Sequence, residues 1–502
     1  MDRRLFFSLL GTICYGVAGV MMIPVLTSVY YREDCLLQWF FSIAVVCLTG
    51  LSLRFFGKGA LGKNISVREG IGIVCFSWLI VAAMSSVPLV ITGVLDPVSA
   101  YFESMSGLTT TGATVIDDLT VVPHSILLWR GLNHWIGGLG IIVIFVALLP
   151  RISGNVFNLF NAEVSGFVNT RIKPRLRVTA LTLFAIYVFL TTVLIILLMF
   201  LGMNFFDAVN HSFSAVATGG FSTHNESVAY FNSPAIEYVL AVFMLIAGGN
   251  FSLYYRLIRF EWNDQLALSK NLSSLFQNIK ILWQDTEFRV YIGLALLFSL
   301  LIAANIAVVC GTGLSDSLRY AFFQVASFGS TTGFVSYDYD KWPAFSKLLL
   351  AVMFFTGGCA GSTAGGIKIS RFIVLFKTVA AEMRRTLHPR ILFSVMYNGK
   401  ELPSHTIVNV SRFFFVYILT IAVLSAALSA TGLGVEESIF GVASCVSSVG
   451  PAFDSLGAVH NFSGVSSVGK IVLSLAMLLG RLELFTVLAL LRSDYWKNNK
   501  SW

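Results

Sequence analysis

Long apolar runs constrain this chain more than any other feature of its sequence. Residues 5–31, 36–57 and 70–94 are nearly continuous apolar stretches. Each exceeds the roughly 18 to 20 residues that a helix needs to cross the hydrocarbon core of a bilayer. The chain is 56% hydrophobic and only 12% charged, and a soluble fold could not bury so much apolar surface. The sequence therefore predicts an all-α polytopic membrane protein.

The charged residues and cysteines are consistent with this class. The formal net charge is +8, and the basic residues lie in short connections between apolar runs. This is the pattern of the positive-inside rule for membrane proteins, so we do not expect nucleic-acid binding. The seven cysteines are scattered, mostly within apolar runs, and indicate neither a disulfide framework nor a metal site. The first apolar run is too long for a signal peptide, and we expect it to remain as a span.

A short tract of hydroxyl residues and glycine occurs four times, each time after an amphipathic segment too short to cross a bilayer. Aligned on their glycines, the tracts are 107, 114 and 117 residues apart, which indicates an internal repeat. One such string alone is as consistent with a helix cap or a packing contact, whereas four copies favour a common function. The candidate residues are Thr110, Thr111, Gly112, Ala217, Thr218, Gly219, Thr331, Thr332, Gly333, Ser448, Val449 and Gly450.

The order of span, half-helix, tract and span recurs around each tract and divides the chain. We predict an N-terminal two-helix hairpin followed by four M-P-M (membrane, pore, membrane) repeats, with ten full spans and four re-entrant segments. The boundaries are 1–66 for the hairpin and 67–175, 176–285, 286–404 and 405–502 for the repeats.

Charge placement predicts the orientation. With the N-terminus and the C-terminus in the cytoplasm, the outer segments hold three basic residues, Arg32, Arg319 and Lys341, and the cytoplasmic segments hold about 25. All four tracts then open to the outside beneath an acidic rim that would concentrate cations.

Non-helical backbone at membrane depth must be buried or line a wet cavity, and its carbonyl oxygens can replace the hydration shell of a monovalent cation.

The combined motifs resemble the Trk/Ktr/HKT superfamily of potassium transporters, and within it the bacterial TrkH/TrkG type, over essentially the whole chain. The resemblance rests on residues 109–114, 217–222, 330–334, 449–451 and the segment 134–140. It implies four pseudo-symmetric, potassium-channel-like repeats around one pore. It also implies K+ as the transported ion, because Gly112 stands where some sodium-carrying plant members have serine. The irregular fourth tract implies a more modest selectivity than that of a fourfold symmetric filter.

A glycine-rich stretch interrupts the second span of the third repeat. The preceding helix, residues 344–356, is about 20 Å long, which is too short to span. The stretch lacks the Gly-Lys-Ser/Thr signature of a phosphate loop, so we predict an intramembrane loop, and we expect the other three repeats to lack such a break. In the resembling family this loop obstructs conduction. The gate residues are therefore Gly357, Gly358, Gly361, Ser362, Thr363, Gly365 and Gly366.

Arg481 is the candidate partner of this loop. It lies about 20 Å into the last span, where a lone arginine is costly and usually faces a polar cavity. The resemblance places it at the constriction, where it would repel K+ and help to hold the gate shut. A structural salt bridge to another acid is the alternative. Glu483 faces away from Arg481 and is expected to pair with another span.

Two further polar residues, Arg130 and His134, lie one helical turn apart in the second span of the first repeat. One possibility is that they pair with an acid of the half-helices, Glu103 or Asp207. The other is that they anchor the span, and the sequence does not favour one role over the other.

The resemblance also implies partners: a homodimer in the lipid of the bacterial inner membrane, and a cytosolic nucleotide-binding regulatory subunit of the TrkA/KtrA type. That subunit would dock on the connections at about 151–177, 258–288 and 381–404. The chain has no dinucleotide fingerprint, and we expect no organic cofactor.

Two other functional classes stay open. A K+/Na+ or K+/H+ coupled secondary transporter would have paired broken helices in corresponding halves, whereas the sequence indicates one long glycine break. A membrane enzyme would need clustered intramembrane His, Asp or Glu, and we therefore expect no catalytic site. Both passive and coupled transport are compatible with the sequence.

Overall fold

The computed structural model describes residues 3–58, 66–140, 176–258, 282–388 and 394–496, and these are mostly helical. Six of the described helices are long and apolar enough to cross a membrane, and a seventh is obtained if one bent pair is counted as a single span. The chain is thus a helical multi-pass membrane protein. The total of ten spans stays a prediction, because the second helices of the repeats are shorter pieces.

Two helical segments form the N-terminal hairpin, and a close glycine contact joins them. The first segment is α1 (Arg3–Val20) continued by α2 (Met22–Tyr30), and it packs against α3 (Leu36–Phe56). A Cβ on Gly11 would lie 2.7 Å from the Gly50 carbonyl oxygen, so the approach requires glycine. The buried Trp39 indole donates to the Ser125 hydroxyl at 3.0 Å, which ties the hairpin to the rest of the molecule.

Four stretches then follow the same order: a long helix, a short helix, an irregular tract, a 3-10 turn and a second helix. In the first stretch the helices are α4 (Val67–Ile91), α5 (Pro97–Leu108) and α6 (His124–Leu139). In the second they are α7 (Leu176–Phe200), α8 (Phe205–Ala217), α9 (Pro234–Ala247) and α10 (Phe251–Ile258).

The third stretch contains the only strands among the described residues. Its elements are α11 (Thr286–Cys310), α12 (Leu314–Gly329), α13 (Ala344–Phe355), α14 (Ile369–Leu387), β1 (Met396–Tyr397) and β2 (Lys400–Glu401), the two strands being antiparallel. The fourth stretch has α15 (Ser404–Ser429), α16 (Val435–Ser447), α17 (Ser467–Arg481), α18 (Leu484–Leu490) and α19 (Ser493–Trp496).

The second helix of every stretch ends or breaks after 12 to 16 residues. Helix α6 ends at Gly140, a three-residue gap separates α9 from α10, and α17 and α18 meet at an angle of 116° around Glu483. Among the described residues, the longest interruption lies in the third stretch, as predicted, between α13 and α14. The expectation that only this repeat is broken is wrong, because two or three interrupting residues leave no compositional signal.

Small residues let the second helices approach the ends of the short helices. A Cβ on Gly137 would collide with the Leu108 carbonyl oxygen, and one on Gly480 would collide with the Val446 carbonyl oxygen. Leu108 and Val446 both lie four residues before the tract glycine, so the contact recurs in the first and fourth stretches. Glycine at such crossings allows close helix packing inside a membrane.

Several sequence predictions fall outside the described residues. They include the predicted cytosolic connections at about 151–177 and 258–288, apart from their ends, and residues 389–393 of the connection at about 381–404.

Candidate functional site

The four tracts meet and close a ring. At each junction a tract glycine faces the carbonyl oxygen of the next tract, so closely that a Cβ on the glycine would collide with it. The carbonyl in each case belongs to the residue just before the facing tract's own glycine. The four junctions are Gly112 with Gly219, Gly220 with Thr332, Gly333 with Val449, and Gly450 with Thr111.

The tracts also share one backbone conformation. A hydroxyl residue in each tract has a left-handed φ of 55–57°, and two residues later a glycine has a φ of 84–97°. The hydroxyl residues are Thr110, Thr218, Thr331 and Ser448, and the glycines are Gly112, Gly220, Gly333 and Gly450. Left-handed backbone is costly for residues with a Cβ, so its recurrence at these four positions indicates a common constraint.

This geometry corrects the alignment of the second tract. Gly220, and not Gly219, occupies the position of Gly112, Gly333 and Gly450, because it has the positive φ and faces the next carbonyl oxygen. The sequence alignment was wrong by one residue because two consecutive glycines satisfy the pattern equally. Gly219 remains in the ring as the residue that presents its carbonyl oxygen to Gly112.

With the corrected register, a serine lies six residues before the glycine in every tract. Three of these serines hold the chain just beyond the ring. Ser214 donates to the Phe221 carbonyl oxygen at 2.7 Å, Ser327 donates to that of Phe334 at 2.7 Å, and Ser444 donates to that of Pro451 at 2.9 Å. The short helices therefore fix the exit of each of these tracts by a side-chain hydrogen bond.

A buried ion pair supports the first tract. Arg130 and Glu103 are at most 2% exposed, and Arg130 Nε donates to Glu103 Oε1 at 2.8 Å. The carboxylate also accepts from the Val115 amide at 2.9 Å and the Thr114 hydroxyl at 3.0 Å. Glu103 is thus the partner of Arg130, a choice that the sequence left open. Removing one member would leave a buried charge unpaired, at a cost of roughly 3–5 kcal/mol.

His134 links the first tract's helices to the second tract. Its Nδ1 lies 2.7 Å from the Gly107 carbonyl oxygen, and the Phe221 amide donates to its Nε2 at 3.1 Å. Since Nε2 accepts, Nδ1 carries the proton and the ring is neutral. Asp207 instead lies 3.1 Å from His224, so it is not the partner of Arg130 or His134.

The interrupted segment 357–366 lies against the second, third and fourth tracts. Thr363 donates to the Val216 carbonyl oxygen at 3.2 Å, and the Gly365 amide donates to the Thr331 hydroxyl at 2.7 Å. A Cβ on Gly365 would lie 2.7 Å from that of Ser448. The connection to the first tract runs through Arg481.

Arg481 ends α17 and bridges three parts of the structure. Its Nη1 donates to the Thr363 carbonyl oxygen at 2.9 Å and to the Thr110 hydroxyl at 3.3 Å, and its Nη2 donates to the Gly138 carbonyl oxygen at 2.9 Å. The guanidinium therefore joins the loop, the first tract and the end of α6. Charge-assisted hydrogen bonds of this kind are about twice as strong as neutral ones.

Glu483 pairs with another helix, as predicted. It accepts from Arg371 Nη2 on α14 at 2.7 Å, and the Arg371 guanidinium lies 3.8 Å from the centre of the Phe413 ring. This ion pair connects the bend of the last span to the helix that follows the loop.

Cavities lie on both sides of the ring. One, of about 120 Å³, is lined by three of the ring glycines together with Asp117, His224 and Asn461. Hydrogen bonds from Ser463 and Asn461 lower the pKa of Asp117, so this carboxylate stays charged at neutral pH. The other, also about 120 Å³, is lined by loop residues 361–366, Arg371 and Arg481.

Fold and site together define a helical multi-pass membrane protein built around a ring of closely packed backbone. A family model described as TrkH, cation transport protein, matches residues 38–502. The chain therefore belongs to the TrkH family of cation transport proteins, and the resemblance noted in the motifs is confirmed.

Individual relatives match over nearly the whole length. The chain is 35% identical to the Trk system potassium uptake protein TrkH of Escherichia coli (strain K12), covering 99% of this chain and 100% of that protein. It is 33% identical to the Trk system potassium uptake protein TrkG of the same organism, over 95% of each chain. The crystal structure of the potassium transporter TrkH from Vibrio parahaemolyticus matches with a TM-score of 0.85 at 34% identity, covering 99% of this chain and 100% of that one.

We expect Gly220→Ala to abolish cation transport, because its Cβ would both strain the backbone and collide with the Thr332 carbonyl oxygen. Gly93→Ala is the matched control, since Gly93 has a φ of 76° but open space around its Cβ position. Rubidium uptake into proteoliposomes measures both variants. Uptake by Gly220→Ala equal to that of Gly93→Ala would contradict the corrected register.

Proposed function

We propose that this chain is the pore-forming subunit of a potassium uptake system that moves K+ into the cell. The closed ring of four tracts is the observation that carries the proposal, because a ring of backbone carbonyl oxygens can replace the hydration shell of a monovalent cation. The names of its relatives, which are potassium uptake proteins, support K+ as the ion. K+ is the cargo, and no organic cofactor is needed for this step.

The filter comprises the ring residues, with Gly112, Gly220, Gly333 and Gly450 at equivalent positions and Gly219 adjoining. The fourfold recurrence of one junction supports a pseudo-symmetric M-P-M arrangement around a single pore, with an additional N-terminal hairpin. Ionised carboxylates such as Asp117, next to the ring glycines, would raise the local concentration of cations at the outer mouth.

The gate consists of the loop 357–366 and Arg481. The loop contacts the second, third and fourth tracts directly and is joined to the first through Arg481, so it obstructs the axis on the side opposite Asp117. Arg481 adds a positive charge at the same level and is hydrogen-bonded to the loop at Thr363. Opening requires the loop to leave these hydrogen-bond partners, including Arg481.

The protein would lie in the bacterial inner membrane as a homodimer, with both termini in the cytoplasm and a cytosolic nucleotide-binding subunit of the TrkA/KtrA type controlling the gate. The excess of basic residues in the predicted cytoplasmic segments supports this orientation. The absence of a nucleotide-binding motif from the sequence is the reason for assigning nucleotide control to a separate chain.

A K+/Na+ or K+/H+ coupled transporter with an alternating-access site is the alternative. Such proteins carry broken helices in two corresponding halves. Here the second helix ends or breaks in all four stretches, and the tracts close a ring, which favours a pore.

Replacement of Gly112 or Gly333 by serine tests the filter. Each new side chain would push on a facing carbonyl oxygen, so we expect the preference for K+ over Na+ to fall by about tenfold, equivalent to ~1.4 kcal/mol. Gly202→Ser is the control, because Gly202 has a φ of 97° and open surroundings. Paired K+ and Na+ flux measurements in proteoliposomes decide the question. An unchanged ratio of K+ to Na+ flux in both filter variants would contradict the filter assignment.

Removal of the Arg481 side chain tests the gate. Losing its hydrogen bonds to the loop removes about 1.5–3 kcal/mol of closed-state stabilisation, so Arg481→Ala should raise basal flux by roughly ten- to a hundredfold. The exposed Arg385→Ala at the end of α14 serves as the control. Flux is measured on the chain alone, without a cytosolic partner. A basal flux at or below that of the unmodified protein would count against the gate.

A further inference from the structure

The cytosolic connection after α14 ends in the hairpin β1–β2, which is pre-organised by its turn. Asn398 and Gly399 have φ values of 47° and 74°, the conformation of a type I′ turn, for which Asn-Gly is the preferred sequence. The hairpin is therefore a stiff element at the predicted cytoplasmic face.

This hairpin is bound to the N-terminus of α11. The Asn398 side chain accepts from the Thr286 amide at 2.9 Å and donates to Asp285 Oδ2 at 2.8 Å. The Tyr397 hydroxyl lies 3.5 Å from Glu287 Oε2. A second connection runs to the helix after the loop, because Lys377 Nζ donates to the Met396 carbonyl oxygen at 2.7 Å.

Glu287 is in turn bound to the glycine-rich loop and to the helix that follows it. It is only 3% exposed, and its Oε1 accepts from the Ala360 amide at 2.8 Å and from the Ser370 amide at 3.0 Å. One carboxylate oxygen thus holds the start of the loop and the first turn of α14 together.

We propose that Glu287 is a positioning residue that couples the hairpin 396–401 to the loop 357–366. A buried carboxylate is costly to leave without its hydrogen bonds, so the hairpin, the start of α11, the loop and the first turn of α14 move together. A partner that moves the hairpin together with the start of α11 would draw Glu287 away from Ala360 and Ser370 and release the loop. This inference rests on the proposed function, since it takes the loop as the barrier.

The test is a double-mutant cycle on the reconstituted full chain, with basal rubidium flux and the K+ to Na+ ratio as readouts. Glu287→Ala and Asn398→Ala should each raise basal flux by at least about tenfold, because each removes at least one hydrogen bond to a charged group. The double variant should equal Glu287→Ala alone, because both substitutions break one coupling. Glu287→Gln retains an acceptor oxygen and should restore most of the closed state.

The ion ratio should stay unchanged in all these variants, because the filter is untouched; a general loss of structure would alter it. Glu382→Ala on α14 and Lys400→Ala on the hairpin are exposed controls that should leave the flux as it is.

Four results would overturn the coupling. If Arg481→Ala raises the flux and Glu287→Ala does not, the gate stands and the coupling fails. If neither raises the flux, the gate and the coupling fail together. Additive effects of Glu287→Ala and Asn398→Ala would mean that the hairpin acts independently. Should Glu287→Ala fail to assemble, Asn398→Ala and Tyr397→Phe carry the test, and unchanged flux in both contradicts the proposal.

Discussion

The close approach of glycine to a neighbouring carbonyl oxygen is the contact on which the rest of this structure depends. It occurs four times, and it closes the chain on itself across more than three hundred residues, since Gly450 of the last tract meets Thr111 of the first. A Cβ at any junction would hold two tracts apart. The short helices, the serine hydrogen bonds and the Glu103–Arg130 pair can all be understood as the scaffold that keeps these four junctions aligned.

Hydrogen bonds link the ring to the loop. The loop takes its hydrogen bonds from groups that belong to the tracts or lie beside them, such as the Thr331 hydroxyl and the Val216 carbonyl oxygen. Arg481 binds the first tract and the loop with one guanidinium. In the proposed gate, hydrogen bonds that a modest displacement could break hold the closed state, and Glu287 extends that network to the hairpin β1–β2.

The sequence predicts the class, the four tracts and the longest interruption, because each produces a compositional signal many residues long. It fails at single-residue resolution. Gly219 and Gly220 satisfy the same pattern, and only the φ angles and the facing carbonyl oxygens distinguish them. The break at Glu483 is invisible because apolar residues surround it. The partner of Arg130 and the connection from Glu287 to Ala360 depend on tertiary contacts between segments 27 and 73 residues apart.

Anomalous diffraction from crystals grown in rubidium tests the central claim most directly. Rb+ has nearly the size of K+ and can be located by its own signal. The account predicts a peak on the axis of the ring, between the Gly219, Thr332, Val449 and Thr111 carbonyl oxygens, and none within the closed loop. A ring without rubidium, with the ion instead held by side chains at another site, would contradict it.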